Sequence, residues 1–198
     1  MNKITHGLSN AYYALISYET DETTGVVTTK YGTPKAWPGA VSVALSPEGS
    51  VDPVYADNGV HFNKNNNKGY SGDFESEVIP EDVKTSIFGQ HKDTTTGMVY
   101  ETGDDKVGEF AFMFQFEGDE TATRHIFYRC TATRTAVEGE TDGDSINEKT
   151  AKVTITAMKR KDADHMTKGY MEKDAAEYDN FFKSVIVPTV APATKPEG

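Results

Sequence analysis

The sequence predicts a mainly β chain, on three observations. Apolar and polar residues alternate with period two in segment after segment, helical spacing occurs convincingly in one place, and long polar stretches separate the two kinds of segment.

Taken in order, Tyr12, Ala14 and Ile16 begin the first alternating run, and Val26 to Tyr31 give a shorter one. Val41, Val43 and Leu45 alternate with Ser42, Ala44 and Ser46. Between Gly72 and Val78, alternation sets Asp73, Glu75 and Glu77 on one face and Phe74 on the other. Phe110, Phe112, Phe114 and Phe116 share a face opposite Ala111, Met113 and Gln115. Ile126, Tyr128 and Cys130 oppose Phe127, Arg129 and Thr131, and Val153 and Ile155 oppose Lys152, Thr154 and Thr156. Ser184 to Val187 reads as a last short strand.

The helical segment covers about residues 80–88. Pro80 suits a helix start, Glu81 and Asp82 complement the positive end of the helix dipole, and Gly89 supplies a stop. Ile79, Val83 and Ile87 recur every fourth residue, a stripe fit to dock on a sheet. Ala175 to Phe182 offers a second, short helix.

Ser46 to Gly69 is the longest polar stretch and reads as a loop, with Asn63 to Asn67 nearly all asparagine. Loops of this length in a domain are uncommon and usually functional or disordered. It also carries Val54, Tyr55, Val60 and Phe62, which a solvated loop does not need and which suit a partner surface. Residues 189–198, rich in Pro, Ala and Thr, read as a flexible tail, which leaves one domain over 1–188.

Composition narrows function. With 31 acidic and 20 basic side chains among 198 residues, the formal net charge is -11. A nucleic-acid grip needs a basic face that releases counterions, and the one basic cluster, Lys159 to Lys161, is followed by Asp162 and Asp164. Apolar residues make up 36% of the chain and the mean hydropathy is -0.58, enough for one thin core and compatible with a subunit that neighbours cover. No apolar run approaches the roughly 20 residues of a membrane span, and the first residues hold no secretion signal, so a cytoplasmic site of synthesis is expected. The lone Cys130 excludes a disulfide framework.

Catalytic and metal motifs fail one by one. No glycine-rich phosphate loop, Gly-x-Ser-x-Gly elbow, His-Glu-x-x-His or Cys-x-x-Cys occurs. The five histidines are scattered, and Asp142 to Glu148 lacks the oxygen ligand and the glycine that a calcium loop needs at its fifth and sixth positions. Cys130, on a strand, reads as a buried small side chain. No enzyme activity, metal or cofactor is expected.

Several stretches together resemble the major tail proteins, or tail tube proteins, of long-tailed bacteriophages that infect Gram-positive bacteria. They are Val41 to Gly49 (VSVALSPEG), Tyr55 to Val60 (YADNGV), Gly69 to Glu75 (GYSGDFE), Ile79 to Asp82 (IPED), Ala122 to Ala132 (ATRHIFYRCTA) and Tyr178 to Phe182 (YDNFF). The likeness runs from about Lys3 to Pro188 and rests on the order and number of segments. It implies a β-sandwich or barrel with a flanking helix. It also implies hexameric rings stacked into a tube, and a channel through which DNA leaves the virion for the host. A long loop reaches neighbouring subunits, here 46–69, with Val54, Tyr55, Asn58, Val60 and Phe62 as contact candidates. The implied partners are copies of the chain, a tape measure protein and a tail terminator, with DNA passing without specific binding.

Charge suggests one further expectation. In the hexameric ring that the resemblance implies, six copies at -11 each would carry -66 formal charges. Salt screens exposed charges beyond about 8 Å, so wall residues act most on passing DNA. Asp73, Glu75 and Glu77 are the candidates to line the channel. A competing reading is a carbohydrate- or receptor-binding β-sandwich, motivated by ten tyrosines and by Trp37 in a turn-like setting before Pro38-Gly39.

Overall fold

The computed structural model describes residues 7–56, 59–118, 121–137 and 150–189, with the backbone course alone for 51–65. The strands are β1 Leu8–Thr20, β2 Val27–Tyr31, β3 Lys35–Ala36, β4 Ala40–Ala56, β5 Gly59–Ser76, β6 His91–Lys92, β7 Val99–Tyr100, β8 Phe110–Phe116, β9 Arg124–Ala132, β10 Ala151–Ala157 and β11 Lys168–Met171. One helix, α1 Glu81–Ser86, interrupts them. The main sheet runs β2-β1-β8-β9-β10-β5-β4, with β3 beside β1 and β11 beside β9, and every pairing is antiparallel. The mainly β class expected from alternation is the one observed, and the rolled antiparallel sheet with one small helix is consistent with the sandwich type that the resemblance implies.

The sheet rolls over on itself. β3 pairs with β1 near one end of the strand order, whereas β4 forms the other end, and only Trp37, Pro38 and Gly39 separate them in sequence. Four residue steps span at most about 14 Å, so the two ends of the sheet must lie close together. The space enclosed holds the main core: Tyr13, Trp37, Phe74, Phe110, Phe112, Phe114, Phe127, Val153 and Ile155, plugged by Val83, Ile87 and Phe88 from α1 and its end. The Trp37 ring meets Tyr13, Phe74 and Phe112 edge-on at 5.9, 5.0 and 6.5 Å. Such pairs add to the area that these rings bury.

A second core lies on the opposite face of β1, β8 and β9. Ala14, Ala111, Met113, Ile126 and Tyr128 are covered there by Phe181, Phe182, Val185 and Ile186. The covering strap is pinned at several points. Tyr178 Oη donates to Ala122 O at 2.6 Å, and Tyr128 Oη donates to Ile186 O at 3.0 Å. The Arg124 guanidinium lies 3.7 Å from the Tyr178 ring centre and 4.8 Å from that of Phe182. The strap is not the strand expected at Ser184 to Val187: these residues pair with no strand, and their apolar side chains serve as a lid on a sheet face. The expected helix at Ala175 to Phe182 shrinks to turns and one 3-10 turn, Tyr178–Asn180.

Three further elements depart from expectation. Cys130 shares the main core with Phe127 instead of lying in the second core with Ile126 and Tyr128. Phe110 pairs with Cys130 and Phe112 with Phe127, so β9 carries one extra residue against β8, a β-bulge that flips the alternation. The helix is shorter than 80–88: Pro80 is extended at ψ 145°, and the Gln90 N–H bonds to Lys84 O as Gly89 turns to φ +77°. The stretch 46–69 is not an irregular loop. β4 and β5 pair from Ala40↔Ser76 out to Ala56↔Gly59, one continuous ribbon. Polar residues hid it because a two-stranded ribbon with two open faces needs no apolar alternation.

One turn is built twice. Asp21-Glu-Thr-Thr-Gly25 joins β1 to β2, and Asp93-Thr-Thr-Thr-Gly97 joins β6 to β7. In each, the aspartate carboxylate accepts from the N–H groups two and three residues on, and the glycine at φ +68° or +73° closes onto the aspartate carbonyl at 2.8 Å.

Candidate assembly surface

The outer face of β4, β5 and β10 is built of small polar side chains. Register aligns Ser42, Glu75 and Lys152 in one row, Ala44, Asp73 and Thr154 in the next, and Ser46, Ser71 and Thr156 in a third. Alternation forces this composition: Phe74, Val153 and Ile155 take the inner positions, so their sequence neighbours point out. Gly72 lets the strands approach here, since a Cβ on it would lie 1.8 Å from Ala44 O.

The two acids of this face are held. Lys152 Nζ lies 2.7 Å from Asp73 Oδ2, and Thr154 Oγ1 donates to Asp73 Oδ1 at 2.9 Å. Ser42 Oγ donates to Glu75 at 3.1 Å, and Thr150 Oγ1 donates to its other oxygen. The hydrogen bond from Lys152, followed by that from Thr154, lowers the Asp73 pKa, and bonds from Thr150 and Ser42 lower that of Glu75. The same contact with Asp73 raises the pKa of Lys152. Asp73 and Glu75 thus share the face on which alternation placed them. Glu77 lies one residue beyond the end of β5, exposed, with its N–H on Gly39 O at 2.7 Å. Sequence reading missed Lys152 as the partner of Asp73. The alternation of Lys152, Thr154 and Thr156 was visible, but the register of β10 on β5 was not.

Beyond Tyr70, β5 loses β10 as a partner, and β4 and β5 continue as a two-stranded ribbon from Glu48↔Gly69 to Ala56↔Gly59. At about 3.3 Å per residue it extends roughly 25 Å past the three-stranded region. Gly69, at φ +107°, marks the departure: a Cβ there would lie 2.0 Å from Ala157 O. Of the contact candidates, Val54, Tyr55, Val60 and Phe62 fall on the ribbon backbone, but their side chains, like Asn58, lie outside the described residues. Residues 190–198 lie outside them too.

Other candidate sites dissolve. Trp37 is buried at 1% exposure, which removes one of the two motives for a glycan platform, while Tyr100 and Tyr170 stay exposed, on separate strands β7 and β11. Cys130 is buried, and burial pushes its thiol pKa up, away from nucleophile chemistry. Among the described residues no group of three metal-binding side chains converges, and no helix is long and apolar enough to cross a membrane.

A rolled antiparallel sheet with a polar, self-satisfied face and a projecting ribbon is the build of a structural subunit that associates through its surfaces. The family model described as phage tail tube protein matches residues 3–194, nearly the whole chain, and the chain belongs to that family. No curated protein matches it in sequence. Membership makes it a structural subunit of a bacteriophage tail tube, a component of the virion tail that assembles with itself and other tail proteins.

Proposed function

We propose that this chain forms hexameric rings that stack into a tube, and that the tube is the channel through which DNA enters the host. The observation that carries the reading is the ribbon. A two-stranded ribbon is marginal alone in water, and this one projects roughly 25 Å beyond the third strand, where a neighbouring copy in a tube can cover it. Among the described residues β4 pairs only with β5, so its other edge also offers backbone groups to a neighbour. Val54, Tyr55, Asn58, Val60 and Phe62 are the proposed inter-subunit contacts, within a tube domain spanning 1–188.

The polar face of β4, β5 and β10 is the proposed channel wall, with Asp73 and Glu75 on it and Glu77 at its margin. The supporting contrast is with the outer face of β1, β8 and β9, which the chain's own strap covers. The proposed host is a Gram-positive bacterium, in whose cytoplasm the chain is made. The proposed partners are a tape measure protein within the tube and a terminator at its end, and the chain itself acts without catalysis. These finer points rest on the sequence resemblance.

Negative-stain microscopy of the purified chain tests the reading, with rings or tubes expected. Deletion of residues 58–68 should leave a folded subunit that fails to assemble. Normal tubes from that variant would overturn the role given to the ribbon.

A further inference from the structure

The proposed channel face carries little net charge, in contrast to the whole chain. Within 40–46, 70–76 and 151–157 the ionisable acids and bases are Asp73, Glu75 and Lys152, two negative and one positive, which leaves -1. The abundant acid of this sequence therefore does not concentrate here. What distinguishes the face is that its one cation is engaged. Lys152 stands opposite Glu75 in register and reaches diagonally to Asp73 at 2.7 Å. Its side chain is 66% exposed, so without those carboxylates it would present an ammonium to solvent on a wall of hydroxyls.

We propose that Asp73, supported by Glu75, cages Lys152, and that this cage prevents the face from holding a polyanion such as DNA. The inference rests on the channel reading above and deepens it. A phosphate that approaches Lys152 must compete with Asp73 for the ammonium or share it, and in either case sit beside two carboxylates held by Thr154, Thr150 and Ser42. An uncaged ammonium meets no such cost, and it gains by releasing the counterions of the nucleic acid. Repeated around a ring and along a tube, one free lysine per subunit becomes a ladder of cations, whose small individual affinities combine. An exposed ion pair contributes little to folding, so the cage matters for what the surface binds more than for stability.

The test is Asp73→Asn, which keeps an oxygen for Thr154 while discharging the partner of Lys152. Complete particles carrying D73N should eject DNA roughly tenfold more slowly at low salt and recover as salt rises, the signature of phosphate contacts. E75Q should slow ejection less, and the double variant D73N/K152T should behave as wild type. D73N particles that eject at the wild-type rate, with empty D73N tubes that retain no added double-stranded DNA, would overturn the cage. E75Q gives a second reading if D73N does not assemble: a wild-type rate and no DNA retention there would overturn it equally. Failure of the channel reading shows separately. Thr154→Cys is the accessible thiol of such a tube, Cys130 being buried, and labelling by a maleimide too bulky to enter the tube would place the face outside. Salt-sensitive capture of DNA on the outer surface of D73N tubes would then uphold the cage and reject the channel.

Discussion

The two halves of the rolled sheet solve the same problem differently. In the half made of β1, β8 and β9, both faces are apolar: Phe110, Phe112 and Phe114 point into the main core, and Ala111 and Met113 point into the second. In the half made of β4, β5 and β10, one face is apolar and the other is a lattice of Ser, Thr and paired charges. A strand buried on both sides reads as a nearly continuous apolar run, and a strand covered on one side alternates. The difference between FAFMFQF and AKVTITA is therefore a statement about covers. The first half has a cover within its own chain. The second leaves its polar face to solvent or to a neighbouring molecule.

Breaking the doubly covered half should produce the largest effect. Phe112 is fully buried and packs on Trp37, Phe74 and Phe114, so Phe112→Ala is expected to cost about 3–5 kcal/mol, read as a lowered urea midpoint with unchanged slope. A loss of that size is a large part of a typical domain's stability.

The strap comes next. Phe181→Ala should cost about 3 kcal/mol and remove amide-exchange protection first from residues 178–186, while the interior of β8 stays protected. Equal loss of protection in both places would mean that the strap and the sheet form one cooperative unit.

In the open half, side chains should matter less than backbone spacing. Gly72→Ala, whose new methyl would meet Ala44 O, should cost roughly 1–3 kcal/mol and weaken exchange protection where β4 meets β5. Lys152→Thr on the same face should cost below about 1 kcal/mol, because the pair that it removes is exposed.

Acid should distinguish the halves as well. Glu109, just before β8, is held by Arg129 at 2.7 and 3.0 Å, and its side chain is 20% exposed. The hydrogen bond from Arg129 lowers its pKa below the ordinary glutamate value of 4.5. A carboxylate depressed in the folded state stabilises above its unfolded value, and the gain is lost as pH falls through the folded one. Glu109→Gln should therefore lower Tm at pH 7 and flatten the fall of Tm below about pH 4.5. Asp73→Asn, at a more exposed pair, should change both less.

Local chemistry determined a good deal unaided. The alternation in residues 12–16, 41–46, 110–116 and 152–156 placed strands and most inward faces, because a pleated chain offers its side chains nowhere else to go. Ile79, Val83 and Ile87 foretold a helix docked by one stripe, and the absence of catalytic spacing pointed to a structural role. The split of Asp73 and Glu75 from Phe74 was equally legible. The D-x-T-T-G pattern occurs twice, and its aspartate and glycine are the residues that such a turn needs.

Tertiary structure decided whatever depends on pairing between distant residues. The bulge that turns Cys130 inward exists only against β8, and a strand alone has no register to slip. Ser46 to Gly69 reads as a loop because its residues are polar, yet backbone hydrogen bonds between β4 and β5 carry it outward as a ribbon whatever its side chains. Trp37, beside Pro38 and Gly39, looked like an exposed turn residue until the ends of the sheet met around it. The Asp73–Lys152 pair joins residues 79 positions apart in sequence, and no local rule brings them together. Side-chain pattern is a one-dimensional property that the chain carries with it. Register, closure and cover are set by which strands find each other in space.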